Sequence, residues 1–279
     1  MPEIAKPALR YHGSKFRLAP WLLGFLPVHR TYIEAFGGAA GLLLRKPPSD
    51  LEVYNDLDEE IVGFFRVLRD PVQRAALTAA ISLTPYARRE FETAFDATLD
   101  PVERARRVVI RAHMGFGSAG ATKGRTGWRT YCGTKRPHEE WRGIPDALAA
   151  AGERLKSVVI ECRDGVDLMQ AHDGDDVLHF VDPPYLPETR AAGAATRCYR
   201  FELDMEGHRR LLEALLQLRG SVVLCGYITP AYAALEGAGW CREEREVRAS
   251  GQRGSVARTE AVWLNPKAVR GAKQLRLIA

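Results

Sequence analysis

The sequence predicts an α/β fold: one sheet of seven strands with helices on its faces, interrupted by a mostly helical insertion at residues 70–156. Three observations carry this reading. Strand-like and helix-like segments alternate at both ends of the chain, the strand pattern vanishes after Asp70, and it resumes at Ser157. Such alternation favours a parallel sheet covered by helices. Residues 1–69 and 157–279 then make one discontinuous domain around the insertion. At 279 residues and 46% hydrophobic, the chain can bury a core of that size.

The elements follow in order. Thr31 to Phe36 reads as a buried strand, Gly37-Gly38 breaks it, and Ala39 to Arg45 continues as a helix. Leu51 to Asn55 is a second strand. A helix follows it with Ile61, Phe64, Phe65 and Leu68 on one face. Prolines near their starts mark helices at Pro71–Ser82, Pro85–Phe95 and Pro101–His113. A glycine-rich loop spans Gly115–Gly143, and Pro145–Lys156 is another helix. Strands are expected at Ser157–Glu161, Val177–Asp182, Ser221–Cys225, near Arg242–Val247 and near Arg258–Leu264, with helices at Met205–Leu218 and from Pro230.

Composition excludes several classes. No stretch approaches the roughly 18 apolar residues of a membrane span, and Lys6, Arg10, Lys15 and Arg17 interrupt any signal core. A cytoplasmic protein is expected. The five cysteines are far apart, which argues against a disulfide framework and a metal site alike. Net charge is only +5, but Arg104 to His138 holds nine Lys or Arg and no acid, so the rest of the chain is net negative. A local basic segment suits a polyanion, although a solvated helix face would look the same.

Asp182-Pro183-Pro184-Tyr185 follows an apolar strand, where ligands of an open α/β sheet bind. The two prolines fix the turn and remove two backbone donors, leaving a carboxylate and carbonyls as acceptors. That array suits a substrate amine. An aromatic amine is a poor nucleophile until acceptors on its N–H groups turn its lone pair outward. Glu34-Ala35-Phe36-Gly37-Gly38-Ala39-Ala40-Gly41 is a glycine-rich turn between strand and helix, where a backbone can approach a ligand closely. Asp56 lies about twenty residues further on, where an acid binds ribose hydroxyls. Both adenosylmethionine and NAD carry that ribose. Hydride transfer has no evident use for the residues from Asp182 to Tyr185, which favours the former.

These motifs resemble the DNA adenine methyltransferase (Dam-like) family, in the alpha arrangement of cofactor motifs, recognition region and catalytic motif. The resemblance spans Leu9 to about Pro266 and is weakest in the middle. Tyr11-His12-Gly13-Ser14-Lys15 matches the family's N-terminal cofactor element. Glu34, Phe36 and Gly38 match its glycine turn, with Gly37 between them and Ala35 and Ala40 replacing a proline and a glycine. Asp56 matches the ribose-binding acid, and Asp164 is similar to the acid near the cofactor's adenine, with Asp167 as its alternative. The resemblance implies a Rossmann-like seven-stranded methyltransferase sheet. It further implies S-adenosyl-L-methionine as cofactor, adenine N6 in double-stranded DNA as target, and a flipped base at Asp182–Tyr185. No metal is implied. A cognate restriction endonuclease is left open as a second partner.

Candidate DNA contacts are Lys123, Arg125, Trp128, Arg129, Tyr131, Lys135 and Arg136 in the loop, where cations position phosphates and rings or arginines read bases. Arg253, with Arg245, Arg248 and Arg258, suggests a second contact between the last two strands. Two rivals stay open at this point. N4-cytosine methylation uses the same amine chemistry, more often with Ser in place of Asp182, and a catalytically silent DNA-binding relative is the other.

Overall fold

The computed structural model describes residues 4–122, 124–130, 136–189, 198–251 and 254–278. Strands β1 (Thr31–Glu34), β2 (Leu51–Asn55), β3 (Val158–Glu161), β4 (Val177–Val181), β5 (Ser221–Gly226), β6 (Cys241–Gly251) and β7 (Gly254–Leu264) form one sheet in the order β3-β2-β1-β4-β5-β7-β6. The first five run parallel, and β7 pairs antiparallel with both β5 and β6. The expected seven-stranded Rossmann-like sheet is present. Every residue of β4 and β5 is buried, which is why both read as unbroken apolar runs. Chain order reverses between β1 and β4, where Glu34 lies beside Phe180. The crevice beyond these two strand ends is the place for a ligand.

Among the described residues the α-helices are α1 (Ala19–Leu22), α2 (Glu59–Arg69), α3 (Pro71–Leu83), α4 (Arg88–Thr93), α5 (Pro101–Met114), α6 (Pro137–Trp141), α7 (Ile144–Arg154), α8 (Gly165–Ala171), α9 (Met205–Gln217), α10 (Ala233–Gly237) and α11 (Pro266–Ile278). Aspartates 58, 70, 100, 164 and 204 open α2, α3, α5, α8 and α9 by accepting first-turn amides. Each such cap stabilises its helix by about 1 kcal/mol relative to alanine.

Successive strand residues feed opposite faces of the sheet. Tyr32, Leu178 and Phe180 join one core cluster, while Ile33, Val181 and Leu224 join the other. The first cluster continues into Leu77 and Ile81 of α3, Phe91 of α4, Val108 and Met114 of α5 and Leu148 of α7. The helical segment therefore shares the sheet's core and does not pack as a separate body. Charge reinforces the join. Arg154 at the end of α7 donates to both carboxylate oxygens of Glu52 on β2, at 2.5 and 2.6 Å, and Lys46 donates to the same group at 2.6 Å. All three residues are at most 4% exposed.

Residues 39–45 form successive turns in place of the expected helix. Ala40 has a φ of 53°, a left-handed conformation that costs a non-glycine residue about 1–2 kcal/mol. Leu43 donates its N–H to Glu34 Oε2 at 3.0 Å, so the regular helical ladder has lost a partner. Alanine is tolerated at position 40 because its buried methyl recovers about 0.8 kcal/mol. The helix expected at Pro85–Phe95 is confined to Arg88–Thr93, and the one from Pro230 begins as a single tight turn. Helices α1, α8 and α11 were not anticipated, and nor was α6, which lies within the expected loop Gly115–Gly143. The start of α11 had a readable signal, since Asn265 caps it by accepting from Ala268 N at 2.9 Å.

Candidate active site

A cleft of about 840 Å³, its open mouth included, lies at the carboxyl ends of β1, β2 and β4. Its floor is the glycine turn after β1. Tyr54 of β2 packs so closely on Gly37 that a Cβ there would come within 2.2 Å of the ring, and Gly38 has a φ of +47°. Asp56 ties the turn down, accepting from Gly38 N at 2.8 Å and Asp58 N at 2.9 Å. Asn55 joins three strand ends by donating to the carbonyls of Ala35 and Arg163 and accepting from Arg163 N.

Opposite the turn, Lys15 is buried and aims at the residues after β4. Its Nζ donates to the Gly13 carbonyl at 2.9 Å and forms an ion pair with Asp182 Oδ1 at 2.9 Å. The same Nζ sits 5.0 Å from the centre of the Tyr185 ring. Tyr185 donates its hydroxyl to Glu260 Oε2 on β7 at 3.0 Å and meets Tyr227 edge-on at 4.7 Å.

The electrostatics are set by buried acids, of which Asp182 and Glu260 act on Lys15. Burial opposes the charge of Lys15, but Asp182 and Glu260 outweigh it and hold the ammonium above its usual range. Burial pushes the Asp182 carboxyl up, with Lys15 pulling it back. Burial lifts Glu34 to about 8 despite hydrogen bonds from the Tyr32 hydroxyl and Leu43 N. Asp56 is lifted to about 6 by burial, against the amides of Asp58 and Gly38. A cavity lined by such acids favours a cationic ligand that can ionise them.

Most of the expected cofactor residues meet here. Tyr11, Gly13, Lys15, Glu34, Phe36, Gly37, Gly38, Asp56 and Asp182 line the cleft; of the expected catalytic turn Asp182 and Pro184 do so, whereas Pro183 and Tyr185 lie outside its lining. Asp164 does not line it. One of its oxygens caps α8 and the other takes Arg210 at 3.0 Å, while Asp167 pairs with the same arginine. Gly165, next to Asp164, is the residue that reaches the cleft wall. Residues 199–203 also line it and were missed. Tyr199 donates to the His12 carbonyl at 3.3 Å and Arg200 pairs with Asp58 and Glu60. Their only cue was an aromatic-basic run, Tyr199-Arg200-Phe201.

The basic segment is corrected more heavily. It is free of acids in sequence but not in space. Arg106 pairs with Glu103 and Glu90, Arg107 with Glu103, Arg111 with Glu60, Arg129 with Glu140, and Arg136 with Glu139. Arg125 is exposed and lies over the Phe95 ring at 5.0 Å. Trp128 packs on Tyr86 at 4.9 Å and Phe91 at 5.7 Å, and is part of the core margin. Lys123, Tyr131, Lys135 and Arg253 lie outside the described residues. The loop nonetheless reaches the cleft: Ser118 Oγ lies 3.4 Å from His12 Nδ1. Among the described residues there is no cluster of metal-ligating side chains and no helix long and apolar enough to cross a membrane.

The donor set fits S-adenosylmethionine. Glu34 and Asp56, both held above their ordinary values by burial, line the space where a cation would relieve them. No curated relative matches the chain. Among solved structures, a precorrin-8w decarboxylase from Methanobacterium thermoautotrophicum superposes with a TM-score of 0.35 at 10% identity, over 89% of this chain and 88% of that one. The model of the D12 class of N6 adenine-specific DNA methyltransferases matches residues 11–223. That match opens at Tyr11, on the cleft wall, and runs through the glycine turn, the basic loop and the Asp182 turn into β5, and by it the chain belongs to the D12 class of N6 adenine-specific DNA methyltransferases.

Proposed function

We propose that methyl transfer to adenine N6 takes place at the Asp182–Tyr185 turn, with Asp182 and the Pro183 carbonyl accepting the two N–H bonds of the amine. The observation that carries this is the Asp182 carboxylate itself, which lines the cleft at the end of β4 with Lys15 as its ion-pair partner at 2.9 Å. S-adenosylmethionine, when bound, supplies an electrophilic methyl group on a cationic sulfonium. Lys15 keeps the Asp182 carboxylate ionised, and an ionised acceptor holds the amine best as its lone pair turns outward. The Tyr185 ring, fixed through its hydroxyl by Glu260, gives the base a face to stack on. Orientation supplies most of the rate.

Asp56 and Glu34 serve the cofactor in this reading. Asp56 is not a bare surface acceptor, since its two oxygens already hold Gly38 N and Asp58 N. Asp56→Ala therefore weakens cofactor affinity and also costs about 1–3 kcal/mol of stability by orphaning those amides. Asp56→Asn keeps one of the two acceptors and so orphans one amide instead of two. Because Glu34 titrates near 8 and Asp56 near 6, a cation bound at neutral pH shifts both toward the ionised form. Cofactor binding should release protons, seen by calorimetry as an enthalpy that changes with the ionisation heat of the buffer. An enthalpy independent of buffer would remove these carboxyls from the binding site.

A base amine inside a duplex cannot reach this cleft, so the target adenine is extruded into it. Residues 70–156 supply the recognition surface, supported by the approach of Ser118 to His12 at the cleft rim. Arg129 is committed to Glu140, so phosphate contacts fall to Lys123 and Arg125. Replacing both by alanine should flatten the dependence of log K on log salt by up to about two units. An unchanged slope would leave the loop a solvated surface. Action in the cytoplasm and a cognate restriction endonuclease as partner are proposed on the family resemblance alone.

A further inference from the structure

We propose that His208 is a positioning residue for methyl transfer: from α9 it holds the Pro184 carbonyl and so sets the pose of the Asp182–Tyr185 turn. This rests on that turn being catalytic. His208 is 1% exposed, in the first turn of α9. Its Nε2 lies 3.0 Å from the Pro184 carbonyl and its Nδ1 3.1 Å from the Tyr232 hydroxyl. A carbonyl only accepts, so Nε2 carries the proton and Nδ1 accepts from Tyr232. One neutral tautomer satisfies both contacts.

Tyr232 is itself immobilised. Its ring meets Trp263 of β7 edge-on at 5.0 Å and packs on Gly226, where a Cβ would come within 2.9 Å. A continuous line thus runs from β7 through Tyr232 and His208 to the catalytic turn. The turn needs such an external hold, because two successive prolines have no N–H with which to pin themselves. The Pro184 carbonyl is a handle that remains. Using it for His208 leaves Asp182 and the Pro183 carbonyl for the amine. Tyr185, the next residue, is held from the other side by Glu260. The turn is thereby gripped at two consecutive residues, and a displacement of about 1 Å at such a site can cost a hundredfold in rate.

The test compares His208→Leu with His208→Gln, whose amide nitrogen can still donate to the Pro184 carbonyl. Single-turnover methylation rate, cofactor affinity, DNA affinity and melting temperature are measured for each. We expect His208→Leu to lower the rate by about tenfold or more with both affinities within about threefold of wild type, and His208→Gln to recover most of the rate. Tyr232→Phe, which frees the tautomer and keeps the packing, should slow the reaction by about threefold, and this variant decides if His208→Leu does not fold. A wild-type rate in the leucine or phenylalanine variant overturns the proposal. So does an equal loss in the leucine and glutamine variants that follows their melting temperatures. Asp182→Asn is run alongside: if it methylates normally, the catalytic turn is misassigned, whereas a silent Asp182→Asn with a fully active His208→Leu removes only the positioning role.

Discussion

Asp182→Asn should lower turnover by a factor on the order of a hundred or more, because it removes a charged acceptor whose hold on the amine strengthens toward the transition state. DNA binding should persist and could tighten, since a negative charge facing a polyanion is gone. Asparagine is the cleaner substitution. Both changes leave the buried ammonium of Lys15 without its ion-pair partner, at a cost of up to about 3–5 kcal/mol, but asparagine keeps the volume and one hydrogen-bond acceptor where alanine keeps neither. The pH profile gives an independent reading. Burial raises the Asp182 carboxyl above its ordinary value, so the acid limb of the rate profile should lie above the usual carboxylate range and vanish in the asparagine variant. A folded Asp182→Asn enzyme that binds both ligands and methylates at close to the wild-type rate makes this aspartate a structural turn residue.

Glu52→Gln should be the most destabilising single change at a site remote from the chemistry. It leaves Lys46 and Arg154 buried beside a neutral amide, at a cost of about 3–5 kcal/mol. For a chain of this size that lowers the melting temperature by about 10 °C. Burial pushes Glu52 up, but the bonds from Arg154 and Lys46 pull its carboxyl below the ordinary value. Its contribution is therefore fully present above the unfolded value of 4.5 and is lost as pH falls through the lower folded value. Replacing all three residues by apolar ones of similar volume should be neutral or stabilising. A Glu52→Gln protein that melts with the wild type shows that water reaches the triad.

The strands that build the cleft were legible because each is a short, dense run with its own local signal. Val177–Val181 and Ser221–Gly226 are buried along their whole length, and the turn after each is marked by residues with strong backbone preferences. The cleft's composition was legible for the same reason, since Tyr11, Lys15, Glu34, Gly38, Asp56 and Asp182 sit at strand ends or in tight turns. What could not be read was pairing across long sequence separations. Nothing near Arg111 announces Glu60, fifty-one residues earlier in the chain, and nothing near Tyr199 announces His12, 187 residues away. Asp164 shows how a local role can hide behind a functional one: an acid at a strand end looks like a ligand group, and here it caps α8 beside the cleft wall.

The shared core of sheet and helical segment limits how target specificity can change. Leu77, Ile81, Val108 and Leu148 close the same apolar interior as Tyr32 and Leu178, so the span from α3 to α7 cannot be exchanged as a cassette between relatives without leaving a hole under β1 and β2. On the function proposed above, new sequence preferences arise from substitutions in the residues that follow Met114, one at a time, while the helices beneath them stay fixed.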